Sequence, residues 1–270
     1  MIPSADRIPA RHAAQLRRVL VLDPNLATAK MLAELLRSLI PNCQVYAAQT
    51  EDRARRMLDA VDPNLIFVEY RGPDLDGLAF TRTLRRSEMA GRQVPVIMVT
   101  AEATAAAIIG ARDAGVHEFL RRPFNMGDLK KRLDAIVLKP RDWIEAVNYV
   151  GPDRRRFNSA DFKGPRKRRG EGEPPVSQRI SQAVKIVQSA LGALETDSDQ
   201  ALRALRAQAR ILAEASAGRE PLRGLETAAL ALEGYLQRLP KTERPPRQQI
   251  EDYAAKIIAT APQEAADKAA

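Results

Sequence analysis

Between residues 19 and 138, short β-branched runs alternate with longer stretches of helical period, and no other feature restricts the fold as tightly. Val19-Leu20-Val21-Leu22 reads as a buried strand that ends at Asp23-Pro24-Asn25. Leu32, Leu35, Leu36 and Leu39 then recur on one helical face, and Pro41-Asn42 stops the helix that starts near Leu26. The same alternation predicts strands over 44–48, 65–68, 94–99 and 118–120, and helices over 50–61, 78–86, 103–114 and 126–138. Thr50 is a candidate N-cap and Gly115 a helix stop. Five strands alternating with five helices specify an α/β fold: a doubly wound five-stranded parallel sheet covered on both faces. Sites in such sheets lie at the carboxyl ends of the strands, where this chain places Asp23, Glu69, Thr100 and Arg122.

The alternation breaks at Pro140. The expected organisation is an N-terminal arm over 1–16, the α/β domain over 17–139, a basic Arg-rich linker over 140–175, a helical bundle domain over 176–261 and a disordered tail over 262–270. Residues 151–172 carry eight Lys/Arg against three acidic side chains, whereas the chain beyond them has no net charge. Of the overall charge of +9, this short segment holds +5 and residues 1–150 the other +4, so basicity is concentrated there, which argues against a whole-surface nucleic-acid binder. Beyond the linker the period is helical throughout. One stripe is Ile180, Ala183, Val184, Val187, Leu191 and Leu194, and a second is Leu202, Leu205, Ala209 and Leu212. A third runs from Leu222 to Leu236 and a fourth through Ile250, Ala254, Ile257 and Ile258. Short connections between such stripes favour a small all-α helical bundle.

Four segments carry a resemblance to a known family: Leu22-Asp23; Glu69-Tyr70-Arg71-Gly72-Pro73-Asp74-Leu75-Asp76-Gly77; Val99-Thr100-Ala101; and Arg121-Arg122-Pro123-Phe124. Their order and their positions after predicted strands resemble the receiver (CheY-like) domain of two-component response regulators, over residues 17–139. The resemblance implies a flavodoxin-like topology. It also implies an aspartate at the end of strand three that accepts a phosphoryl group from a histidine kinase. Two carboxylates after strand one would help hold Mg²⁺, a Thr after strand four would bind phosphoryl oxygens, and a lysine would pair with them. The chemistry needs hard oxygen ligands for the cation and neutralisation of the charge spreading over the transferred group.

The chain departs from that pattern at three places. The acceptor position is Glu69, whose extra methylene moves the carboxylate by about 1.5 Å, and about 1 Å of misplacement can cost about 100-fold. One of the paired acids is Pro24, which offers no side-chain ligand, leaving Asp23 as the remnant of the acidic pocket. The lysine position is Arg122, a planar fork rather than a compact charge. Thr100 is retained, and Phe119 stands where the family carries an aromatic that changes rotamer with the state of the site; it also reads as an ordinary core aromatic. Two readings stay open: Glu69 reaches Thr100 and Arg122 and imitates a phosphorylated aspartate, or the pocket is vestigial beneath a fixed docking surface.

The remaining features exclude more than they assign. One cysteine (Cys43) rules out an intramolecular disulfide, and with only His12 and His117 no metal site of the usual kind is expected. No cofactor is expected, and the loss of one acid counts against Mg²⁺. No run approaches the length needed to cross a bilayer, so membrane insertion is not expected and a cytoplasmic location is. Arg154, Arg155, Arg156, Arg166, Lys167, Arg168 and Arg169 are candidate contacts for phosphate, nucleic acid or a cyclic dinucleotide. They also read as a solvated tether, with few aromatics for base stacking. The helical domain contains no histidine, so it carries no phosphotransfer; self-association or partner binding through an apolar helix face is its expected role. The leading expectation is a non-enzymatic, receiver-like adaptor that is not phosphorylated and contacts a histidine kinase or another regulator. A nucleic-acid or cyclic-dinucleotide binder, and a phosphorylatable receiver with an unusual acceptor, are the alternatives.

Overall fold

The computed structural model describes residues 8–102, 104–154, 175–240 and 246–262. Five strands, β1 (Arg18–Leu22), β2 (Gln44–Ala48), β3 (Leu65–Glu69), β4 (Val96–Thr100) and β5 (Glu118–Arg121), form one sheet in the order β2-β1-β3-β4-β5. All four pairings are parallel, with Leu20 opposite Ile66 and Phe119 opposite Met98 fixing the register. Helices α1 (Leu26–Leu39), α2 (Glu51–Val61), α3 (Gly77–Arg86), α4 (Ala105–Asp113) and α5 (Met126–Leu138) connect and follow them.

Strand alternation sorts the core into two layers. Val19, Val21, Phe67, Ile97, Val99 and Leu120 meet Leu32 and Leu36 of α1 and Leu129 and Leu133 of α5. Leu20, Leu22, Ile66, Val68, Met98 and Phe119 meet Leu58 of α2, Phe80 and Leu84 of α3 and Ala111 of α4. Because both faces are covered, the three central strands β1, β3 and β4 are near-continuous apolar runs. Side-chain caps set the helix starts: Asn25 for α1, Thr50 for α2, Asp76 for α3, Thr104 for α4, and a reciprocal Asn125–Asp128 box for α5.

Three expectations are corrected. Strand four begins at Val96 rather than Val94, because Ala90–Gln93 form a 3₁₀ turn and Pro95 has no N–H to give a ladder; only its carbonyl takes part, accepting from Ile66 (2.9 Å). The arm expected over 1–16 is docked from Ile8 onward: Ile8, Ala13 and Leu16 are buried in the α1/α5 layer, and the Ile8 amide donates to Leu39 O (3.0 Å). The linker expected over 140–175 is folded in its first part. Trp143–Glu145 (β6) and Val150–Pro152 (β7) pair as a two-stranded ribbon, with Tyr149 and Val150 buried. Aromatic and β-branched side chains override the turn-forming Pro and Gly around them. Residues 155–174, which hold Arg155, Arg156, Arg166, Lys167, Arg168 and Arg169, and the tail from 263, lie outside the described residues.

The chain folds as two compact units, Met1–Ile144 with Tyr149–Gly164, and Glu145–Asn148 with Pro165–Ala270. The second contains α6 (Val176–Gly192), α7 (Ser198–Ser216), α8 (Arg223–Arg238) and α9 (Arg247–Thr260). Each helix packs on its neighbour in sequence and α9 returns against α6. The core is small and aliphatic: Val184, Val187, Leu205, Leu212, Leu232, Leu236, Ile250 and Ile257 are fully buried. The predicted stripes are its axis, except that Leu191, Leu202, Leu222 and Ile258 lie only partly buried at its margin.

Candidate functional site

The carboxyl ends of β1, β3, β4 and β5 bring Asp23, Glu69, Thr100 and Arg122 to one edge of the sheet. Asp23 is buried, and both oxygens of its carboxylate accept hydrogen bonds. One oxygen accepts from the Asn25 amide (2.8 Å), and the other accepts from the Thr28 hydroxyl (2.6 Å) and from Arg122 Nη2 (2.9 Å). Asn25 in turn caps α1 through the Ala27 and Thr28 amides, so the start of that helix fixes the acid. Arg122 Nη1 donates to Glu69 Oε2. One guanidinium therefore bridges the two carboxylates, and its fork geometry suits the task better than a point charge. Burial pushes the Glu69 carboxyl above its ordinary value, and the Arg122 hydrogen bond and charge offset only part of that rise.

Thr100 is brought to the same edge but not into the same network: its hydroxyl oxygen accepts from the Glu102 amide (2.9 Å). Of the two partners expected for Glu69, the structure supplies Arg122. Phe119 is buried among Leu20, Met98 and Phe80 on the α2/α3/α4 layer. Pro24 packs against the loop after β3, where a Cβ on Gly72 would lie 2.9 Å from Pro24 Cγ. Gly77 is required at the start of α3, since a Cβ there would meet Glu69 O at 2.2 Å.

The donor set fits a divalent cation poorly. Pro24 contributes no side-chain oxygen, and a guanidinium already sits in hydrogen-bond contact with both remaining carboxylates. Mg²⁺ demands near-octahedral oxygen ligation, and a fixed cation in that position opposes it electrostatically. Among the described residues no group of three or more His, Cys, Asp or Glu is placed to hold a metal.

A second polar cluster, at the amino ends of β4 and β5, had no sequence signal. Arg85 is fully buried and donates to Gly115 O (2.9 Å), Arg92 O (2.6 Å) and Val94 O (2.8 Å), and lies 3.3 Å from His117 Nδ1. Its guanidinium stacks over the Trp143 ring at 5.4 Å. Burial lowers its pKa to about 9, which leaves it cationic at neutral pH. His117 also takes the Val96 amide at Nδ1 (3.3 Å); burial first, then the charges of Arg85 and Arg141, hold it well below the ordinary histidine value, so it is a neutral acceptor. Of the linker arginines only Arg154 is described: it pairs with Asp113 (3.0 Å) and stacks on Tyr149 (4.4 Å). His12 is half-buried, and burial pushes the Cys43 thiol up to about 11, keeping it protonated.

The response regulator receiver domain matches residues 19–134, and the chain belongs to that family. Chemotaxis protein CheY-3 of Vibrio cholerae is 30% identical over 119 residues, 44% of this chain and 90% of that protein. The KDP operon transcriptional regulatory protein KdpE of Escherichia coli is 32% identical over 115 residues, 43% of this chain and 48% of its own length. The cyclic di-GMP phosphodiesterase response regulator RpfG of Xanthomonas campestris is 28% identical over 119 residues, 44% of this chain and 31% of that protein. The chain thus spans a third to a half of the two longer relatives. A solved receiver domain from Bermanella marisrubri is 27% identical, covering 45% of this chain and 98% of its own, with a TM-score of 0.41. The family match ends before the ribbon and the helical unit. Among the described residues no helix is long and apolar enough to cross a membrane.

Proposed function

We propose that this receiver-family chain is a cytoplasmic signalling adaptor that acts by protein–protein contact and is not switched by phosphorylation. The observation that carries the reading is Arg122, bound at once to Glu69 and Asp23. A phosphoryl donor approaching Glu69 meets a carboxylate already engaged by a cation, lacking the aspartate geometry and the second acid that cation-assisted transfer requires. With Thr100 accepting from the Glu102 amide and making no hydrogen bond to Glu69, the arrangement supports a fixed pocket more than a full imitation of the phosphorylated state. The pairing of Arg154 with Asp113 draws one of the seven candidate contact residues away from a nucleic-acid role.

The test is affinity capture of the tagged chain from its own lysate, repeated with nuclease and with Mg²⁺ plus a small phosphodonor. Recovery of a histidine kinase or another regulator, indifferent to both treatments, supports the adaptor. Loss on nuclease treatment transfers the function to the linker, and dependence on the phosphodonor restores a phosphorylatable receiver.

A further inference from the structure

An amphipathic helix in a bundle this aliphatic has little use for buried amides, yet α7 buries two of them. Gln200 is 0% and Gln208 2% exposed, amid Ala201, Ala204, Leu205 and Ala209. They lie eight residues apart, about 12 Å along one side of the helix. A buried amide costs about 1–3 kcal/mol if left unsatisfied, so what satisfies these two shows what the surface is built to hold. Their partners belong to a short non-helical stretch of the same unit, Glu145–Asn148. Gln200 Nε2 donates to Glu145 Oε1 (3.0 Å) and to Ala146 O (3.1 Å), and Gln208 Nε2 donates to Glu145 O (2.9 Å). The Gln200 amide is held in that orientation by Arg203, whose Nε donates to Gln200 Oε1 (3.1 Å). Val147 follows into the aliphatic core, 8% exposed.

We infer that the helical unit is a peptide-binding module whose groove along α7 is filled in cis by Glu145–Asn148. Two main-chain carbonyls, Glu145 O at the end of β6 and Ala146 O just after it, are read by amide donors, which recognises backbone whatever its sequence. The side chains add the specificity: a carboxylate on Gln200 and, two residues on, a β-branched side chain in an apolar socket. The resident segment belongs with the helices although the residues before and after it belong to the other unit, as expected of an inserted ligand rather than a helix connection. The partner is a protein presenting a Glu-x-Val segment that turns after its first residue, as the resident one does, and competes with it. This deepens the adaptor reading, and rests on it for its role in signalling. Its test reads peptide binding and not phosphoryl chemistry, so either can fail without the other.

A tethered segment acts at an effective concentration on the order of millimolar, so the wild-type groove must resist a free peptide by about tenfold or more. The experiment uses the full chain with Glu145→Ala and Val147→Ser, titrated by fluorescence anisotropy with a labelled peptide of residues 143–150. Circular dichroism checks that the helices persist. The variant is expected to bind the peptide about tenfold or more tightly than wild type, and Gln200→Leu with Gln208→Leu in the same background to abolish the gain. A folded variant that does not bind, or binding indifferent to the two glutamines, overturns the proposal. If the variant loses its helices, the wild-type chain is titrated with peptide above millimolar concentration; saturable binding supports the module, and its absence overturns it.

Discussion

Removing Arg122 would leave Glu69 and Asp23 confronting each other in a pocket where each is almost enclosed. Arg122→Ala is expected to lower stability by about 2–4 kcal/mol at pH 7, measured by urea unfolding, because two carboxylates lose their shared cation. Glu69→Gln, which keeps an acceptor and removes one charge, is expected to cost less than about 1 kcal/mol. The Glu69 carboxyl holds its proton more tightly folded than unfolded, so its contribution is fully present below its ordinary value of 4.5 and lost as pH rises through the folded value. The deficit of Arg122→Ala should therefore shrink on acidification, as Glu69 takes up a proton. His117 works in the opposite sense. Its folded value is depressed well below 6.5, so the unfolded chain binds the proton first and stability falls as pH drops below 6.5, with no His117 contribution to the slope above it. His117→Asn, which retains an acceptor for Arg85 and Val96, should flatten that acid slope in unfolding curves recorded across the same range.

Among the elements, the ribbon is where sequence and structure part most. Strand and helix periods make the sheet readable because the central strands β1, β3 and β4 are apolar on both faces, and Asp23, Glu69, Thr100 and Arg122 are readable because strand ends place them. Pro140, Gly151 and Pro152 signalled a break, and nothing local announced that Gly115 and Gly151 meet backbone to backbone. A Cβ on Gly115 (φ +87°) would lie 2.6 Å from Val150 O, and one on Gly151 (φ +153°) would lie 2.7 Å from Gly115 Cα. Either change to alanine is expected to destabilise the first unit by about 2–4 kcal/mol, seen as a lowered urea midpoint, since backbone conformation and space are both wrong. Gly192→Ala, at a glycine with nothing within 4 Å, should change stability by about 0.5 kcal/mol or less. Arg85 was equally illegible: an arginine near a helix end reads as solvated, and only the fold converges Gly115, Arg92, Val94 and His117 upon it. Gln200 and Gln208 are illegible for a related reason. The apolar stripe of α7 runs through leucine and alanine, and a glutamine on the same face carries no hydrophobic signal that marks it as buried.

For the molecule as a whole, membership of the receiver family and the chemistry of its pocket point in different directions. The sheet order and the family match are those of a receiver, whereas the proposed reading takes Pro24, Glu69 and Arg122 to stand at the positions on which phosphoryl transfer depends. The most direct measurement is intact-mass spectrometry of the full chain after incubation with Mg²⁺ and acetyl phosphate. It is run beside the variant Pro24→Asp, Glu69→Asp, Arg122→Lys, which returns the missing groups to the same scaffold. The wild-type chain is expected to carry no phosphoryl adduct and the variant a measurable one. A stable adduct on the wild type, mapped to Glu69 or Asp23, would contradict the reading of the pocket as closed to phosphoryl transfer.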